Sequence, residues 1–355
     1  MKRAILFMAA VMTLTAASWS QNISKNESKS IQTFLSQPAL KGGTNSQALV
    51  FNGGNAATCP GITVENGHVT EIDWRGKNLG GELDLSGFTG LRKVQVGNNG
   101  LTELTLNGNP VLTEVNAGHN HITEITITAN PQLQTLRLNR NRISEFELGG
   151  TPLLKKVNIA ANQLVALDVT NALNLEYLNC MSNRLEELNV SGCQNLKTIY
   201  AGYNDLTGLE LQGLLNLENL NVTGNRLQKL YIQDLPALST LFCSDNHMKD
   251  LAVNNCKMLN DIFAPYNDLT SFNVTNCPTL AFVSLEWNDL EFVSLANQNF
   301  LQRVNVSNNE LTTLDVSFCP MLVWVNIANN PMLTDLRTEG DDQLHQIIGE
   351  WNEFD

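Results

Sequence analysis

Asparagine stands at Asn99, Asn120, Asn141, Asn162, Asn183, Asn204, Asn225, Asn246, Asn267, Asn288, Asn309 and Asn330, each 21 residues after the last. Twelve copies without a slip leave little choice of architecture. A fixed period of this length belongs to a stack of similar coils, in which each coil touches only its neighbours and the stack shares one core.

The residues around each Asn define the coil. Leu196-Lys197-Thr198-Ile199-Tyr200-Ala201-Gly202-Tyr203-Asn204-Asp205-Leu206 reads L-x-x-L-x-L-x-x-N-x-L, the signature of a leucine-rich repeat. Its x-L-x-L-x centre alternates inward and outward, which predicts a short strand, and stacking lines the strands into one parallel sheet. Where the chain leaves that sheet, backbone groups lose their ladder partners. A buried Asn side chain satisfies them, each bond contributing about 1 kcal/mol, whereas an orphaned group costs about 1–3 kcal/mol. The twelve asparagines therefore read as a structural ladder. Apolar residues also recur five and seven positions after the Asn, as at Leu209 and Leu211. Twenty-one residues leave little room for a helix on the far side. The fold expected is a leucine-rich-repeat solenoid: a mostly β and coil right-handed superhelix with a parallel concave sheet, and little helix except at its caps.

The ends depart from the period, as caps do. Residues 69–79 form a degenerate first repeat, one residue out of phase, preceded by a segment with helical character over 27–37 that stops at Pro38. Beyond the last repeat, Leu344, Ile347, Ile348 and Trp351 follow i, i+3, i+4, i+7 spacing behind Asp341 and Asp342, which predicts a short amphipathic helix. The division expected is a signal peptide over 1–20, an N-terminal cap region over 21–68, repeats over 69–337 and a C-terminal cap helix over 338–355.

The first twenty residues read as an export signal. Lys2 and Arg3 precede an apolar run over 4–17, and the small residues Ser18 and Ser20 suit cleavage before Gln21. The chain carries −13 net charge, and loss of residues 1–20 removes two cations and no acid, leaving −15. That balance argues against nucleic acid as a partner, because a phosphate surface needs a basic footprint. No apolar run is long enough to span a membrane. Export is expected, with the cell surface, the medium and the periplasm all open as destinations, and the protein is expected to be a monomer.

Segments such as Tyr177-Leu178-Asn179-Cys180-Met181-Ser182-Asn183-Arg184-Leu185 and Leu314-Asp315-Val316-Ser317 resemble the 21-residue repeats of internalin-like leucine-rich-repeat surface proteins of the Bacteroidetes type. The resemblance covers residues 62–337, and the entry segment 61–69 is similar to the N-terminal caps of that family. It implies a binding protein: relatives are adhesins, invasion factors or proteins of unknown ligand.

The residues that carry catalysis elsewhere fall into repeat columns. Cys180 and Cys243 sit at the inward strand position three before the Asn, and Cys193, Cys256, Cys277 and Cys319 all fall ten after it, where a free Cys packs as a small hydrophobe. Cys256 and Cys277 lie one repeat apart, about 5 Å, within reach of a disulfide, and that pairing stays open. Cys59 has no evident partner. The histidines, His119 and His121 among them, show no metal-ligand spacing, and no nucleophile elbow or phosphate-binding loop appears. No enzymatic activity, cofactor or metal is expected.

A ligand would meet the outward residues of the concave sheet, six, four, two and one before each Asn. About three of these forty-eight positions should be aromatic at the chain-wide frequency of 6%. Nine are: Tyr177, Tyr200, Tyr203, Phe242, Phe263, Tyr266, Phe282, Trp287 and Trp324. None lies in the first four repeats. Rings serving only to stabilise strands would spread evenly, so the clustering points to a contiguous ligand-binding patch. Lys93, Arg137, Arg140 and Lys156 predict a basic surface towards the N-terminus, while Asp245, Asp261 and Glu286 lie among the rings. Asn116, Asn158, Asn179, Asn221, Asn305 and Asn326 add an exposed amide row. The function expected is protein binding or adhesion through the aromatic concave face. The alternatives are a glycan-binding envelope protein for nutrient capture and a structural envelope component without a specific ligand.

Overall fold

The computed structural model describes residues 22–350; the export signal read over 1–20 lies outside them. The chain forms a β-solenoid. Its long sheet has 15 strands, beginning with an antiparallel hairpin of Ile62–Glu65 and His68–Asp73 and continuing parallel to Gln346–Ile348. From Lys93–Gln95 to Trp324–Asn326 the paired residues of successive strands are 21 apart, as in Tyr177↔Thr198 and Phe242↔Phe263. At both ends the step is 22: Glu71↔Lys93 and Trp324↔Gln346. Alternation decides what each strand buries. In Tyr177–Asn179 the central Leu178 is fully buried while Tyr177 and Asn179 stay half-exposed, and most strands of the sheet repeat that pattern.

Each of the twelve period asparagines ties its own coil to the one before it. The Asn204 side-chain amide donates to the carbonyls of Cys180 at 3.1 Å and Ala201 at 3.0 Å, and its oxygen accepts from the Leu185 amide at 3.0 Å. These are the carbonyls and amides stranded where the chain turns off the sheet. The residue before the Asn adopts left-handed backbone, as at Asn98, Ser182, Tyr203, Tyr266 and Trp287.

The far side is also β. Short parallel sheets run along it, among them Gly80–Asp84 with Gly100–Asn107 and Glu124–Thr128, and Tyr231–Gln233 with Asp250–Asn254 and Ser271–Thr275. The second bend of the coil has its own internal ladder. Asn109 and Asn130 donate to the carbonyls of Leu85 at 2.7 Å and Leu106 at 2.6 Å, and the thiols of Cys193 and Cys319 reach the equivalent carbonyls of Val169 and Leu295 at 3.2 Å. The cysteine column is thus the same bend satisfied by a weaker donor.

The N-terminal cap is helical over Lys25–Ser36, started by a capping box between Ser24 and Glu27. It buries Ile31, Phe34 and Leu35, and Phe34 stacks on Trp74 with ring centroids 5.3 Å apart. The other end corrects the sequence reading. No helix forms over 338–350; Gln346–Ile348 adds a final strand to the long sheet, with Ile347 beside Val325. One extra residue before Asp341 hides the repeat, and the spacing of Leu344, Ile347 and Ile348 then imitates a helical face. Trp351 lies outside the described residues. Among the described residues no helix is long and apolar enough to cross a membrane.

Candidate functional site

The outward face of the long sheet carries the rings in two strand columns and one edge column. Phe242 and Phe263 are register partners and stack with centroids 4.6 Å apart and planes 11° from parallel. Phe282, on the next strand but two positions earlier in its coil, leans on Phe263 at 5.1 Å and 46°. Tyr177 and Tyr200 meet edge to face at 5.9 Å. At the turn beside the sheet, Tyr266 and Trp287 stack at 5.9 Å and 12°, each more than half exposed.

The nine rings do not make one continuous patch. Asn221 separates Tyr200 from Phe242, and Arg303 separates Phe282 from Trp324, each occupying the intervening strand at the equivalent position. Three groups result, with Tyr203 and Trp324 lacking a stacked ring partner. Tyr203 instead lies over Gly224 in the neighbouring coil.

The charges also need correction. The cations expected to make the N-terminal part of the sheet basic are partly neutralised: Arg137 pairs with Glu114 at 2.9 Å, and Lys93 lies 3.8 Å from Glu71 and 3.9 Å from Glu114. Glu71 and Glu114 occupy outward positions of the same sheet, where opposite charges on adjacent strands meet. Lys156 and Arg140 have no carboxylate within 4.0 Å among the described residues.

The cysteines are all free and buried. Burial pushes the Cys180 and Cys243 thiols up to about 12. Cys256 and Cys277 interact: a hydrogen bond between them, together with burial, raises Cys256, and the same bond lowers Cys277. Among the described residues no group of three or more His, Cys, Asp or Glu is placed to hold a metal ion.

Two features escaped the column count. Tyr231, Phe292 and Phe318 are 71%, 53% and 55% exposed on the far side of the coil, so exposed rings are not confined to the long sheet. Arg303 stands between Phe282 and Trp324 in one row, beside an open depression of about 450 Å³ lined also by Val323, His345 and Gln346. Its place is legible in the sequence, because Phe282, Arg303 and Trp324 are spaced by 21, although an arginine does not stand out by residue type among the rings.

A family model described as plant disease resistance protein RPS2-like, leucine-rich repeats, matches residues 152–278. No curated protein matches the chain. Among solved structures, YopM, a leucine-rich effector protein from Yersinia pestis, is 26% identical over 76% of this chain and 77% of its own, with a TM-score of 0.60. An internalin, InlF, from Listeria monocytogenes is 16% identical over 80% of this chain and 91% of its own, with a TM-score of 0.53. A leucine-rich-repeat protein from Leptospira interrogans is 19% identical over 74% and 91%, with a TM-score of 0.51. The chain is a leucine-rich-repeat solenoid. It is internalin-like in its repeat and its fold, and leucine-rich-repeat proteins are in general protein-interaction modules.

Proposed function

We propose that the chain is an exported binding module, of adhesin-like use, that holds a protein ligand on the ring-bearing face of its long sheet. The observation that carries this reading is the Phe242–Phe263–Phe282 stack, three half-exposed rings directed away from the core. Rigid aromatic surface is what interfaces use as anchors, and truncating such a residue costs about 2 kcal/mol or more of binding. The edge column adds support. Tyr203, Tyr266 and Trp287 hold φ of 56°, 55° and 58°, a conformation that disfavours bulky side chains by about 1–2 kcal/mol. Gly224 and Asn308 occupy the same position in other coils, so large rings there are not demanded by the fold.

A second reading is an envelope glycan-binding protein. It rests on the nearly parallel, exposed Tyr266 and Trp287 rings at the edge of a sheet whose next two strands carry the amides of Asn305 and Asn326. The test is capture from envelope and host extracts by the purified protein beside a Tyr200→Ala/Phe263→Ala/Trp287→Ala variant, with a glycan array in parallel. A protein captured by the wild type and lost by the variant supports the first reading, and array hits lost by the variant support the second. Capture of nothing by either protein leaves a structural envelope component, and equal capture by both places the binding surface away from these rings.

A further inference from the structure

One row of the long sheet places charge and rings in alternation. Asp261, Phe282, Arg303, Trp324 and Gln346 are register partners on five successive strands, about 4.8 Å apart, and all project from the same face. Arg303 is exposed and has no carboxylate within 4.0 Å among the described residues. Asp261 lies two strands away with Phe282 between them, and its carboxylate makes no contact with Arg303 within 4.0 Å. Arg137, on the same face nearer the N-terminus, has Glu114 to neutralise it. Arg303 has a ring on either side instead.

The surroundings are shaped as well as charged. The 450 Å³ depression beside Trp324 and a second of about 440 Å³, lined by Asn260, Asp261, Phe263, Ala281 and Gln302, share Phe282 and Arg303 as their common wall. A guanidinium is always charged and matches a carboxylate through two parallel hydrogen bonds. Two partly apolar depressions on its flanks accept the neighbouring groups of whatever brings that carboxylate.

We propose that Arg303 is the specificity residue of the ligand face: it receives an acidic side chain from an extended segment of a protein partner, with apolar side chains on either side of that acid resting on Phe282 and Trp324. The inference rests on the binding function proposed above and names the chemistry of its ligand. Alternate side chains of an extended segment share one face, so the fitting pattern is apolar-x-acidic-x-apolar. The chain's own acidity limits the ligand to a locally acidic segment. A strongly acidic partner would be repelled by a protein with 35 acids and 22 bases, whereas one carboxylate in an apolar context is not.

The test uses the full chain and two fluorescently labelled probes, acetyl-Leu-Ser-Asp-Ser-Leu-amide and its Asp→Asn counterpart, followed by anisotropy at millimolar protein. The Asp probe is expected to bind about tenfold more tightly. Arg303→Gln removes that preference, so that both probes bind alike, while circular dichroism and the urea midpoint stay unchanged because the side chain projects outward. Equal binding of the two probes to the wild type, a preference that survives in Arg303→Gln, or binding of neither overturns the proposal. Arg303-dependent binding of polygalacturonate in place of the peptide does so too, in favour of an acidic glycan. The Arg303→Gln variant also separates this inference from the binding function itself. If the partner is lost by the triple alanine variant but kept by Arg303→Gln, the binding face stands and the carboxylate role falls.

Discussion

The ring of Tyr203 lies where a side chain on Gly224 would have to go: a Cβ at Gly224 would stand 2.8 Å from Tyr203 Cδ1. Gly224 also holds φ of 67°, so two separate effects oppose a larger residue there. Gly224→Ala is expected to destabilise by about 2 kcal/mol, roughly half from backbone strain and half from displacing the ring. In a Tyr203→Ala background only the strain remains, so the same substitution should cost about 1 kcal/mol. Urea denaturation of the four proteins gives the coupling, and additive costs would show that the ring does not occupy the glycine's place.

The ladder makes a stronger demand. Asn204→Ala strands the buried amide of Leu185 and leaves the carbonyls of Cys180 and Ala201 with one amide donor each, from Asn183 and Asn225, in place of two. A loss of about 2–4 kcal/mol is expected. Asn204→Asp keeps the acceptor but loses the donor and buries a charge, so it should be at least as damaging at neutral pH. The denaturant midpoint measures both, and a loss below about 0.5 kcal/mol, the range of ordinary surface changes, would mean the ladder is dispensable.

Asp341 stands in the inner column that Asn109 and Asn130 occupy near the other end. One of its oxygens accepts from the Cys319 amide at 2.7 Å, and the other is buried without a partner. Burial raises its carboxyl above the usual range. The folded protein therefore holds that proton more tightly than the unfolded chain, and stability falls as pH rises from the unfolded value through the folded one. Asp341→Asn removes this cost and restores an amide donor. It should stabilise the protein by on the order of 1 kcal/mol at pH 7, with a smaller gain below pH ~4. Thermal unfolding of both proteins at the two pH values tests this; a destabilised Asn variant at pH 7 contradicts it.

Thiol chemistry should follow position in the coil. Cys180 and Cys243, pushed up to about 12, are expected to resist alkylation at pH 8 until the protein unfolds. Cys277, buried like the others but with its thiol held low beside Cys256, should react slowly in the folded protein and ahead of Cys180 and Cys243. Peptide mapping after brief exposure reads the order directly, and early modification of Cys180 would show that the core admits reagent.

Much of this architecture is legible in the residues, because a strict period states its own register. The inward positions, the asparagine column and the β character of the far side all follow from counting in steps of 21. Legibility failed where the count changed. The final strand at Gln346–Ile348 enters after a step of 22, and three apolar residues there read as a helix face. Side-chain reach was also hidden: Glu114 neutralises Arg137 and approaches Lys93, a relation that residue types alone do not reveal until strands are set side by side. The site was half legible. Residue type and period reveal the rings but not their grouping, since Asn221 and Arg303 interrupt them, and Arg303 gains its meaning only from the rings on either side of it.

The outward rings of the long sheet, rather than exposed apolar surface in general, are proposed to hold the ligand. The measurement that tests this most directly is partner binding by three proteins: wild type, Tyr200→Ala/Phe263→Ala/Trp287→Ala, and a far-side control, Tyr231→Ala/Phe292→Ala/Phe318→Ala. All three are first matched by circular dichroism. The far-side variant is expected to bind like the wild type while the first variant loses at least about 2 kcal/mol, some thirtyfold in affinity. Equal loss in both variants, or loss only in the far-side one, would contradict it.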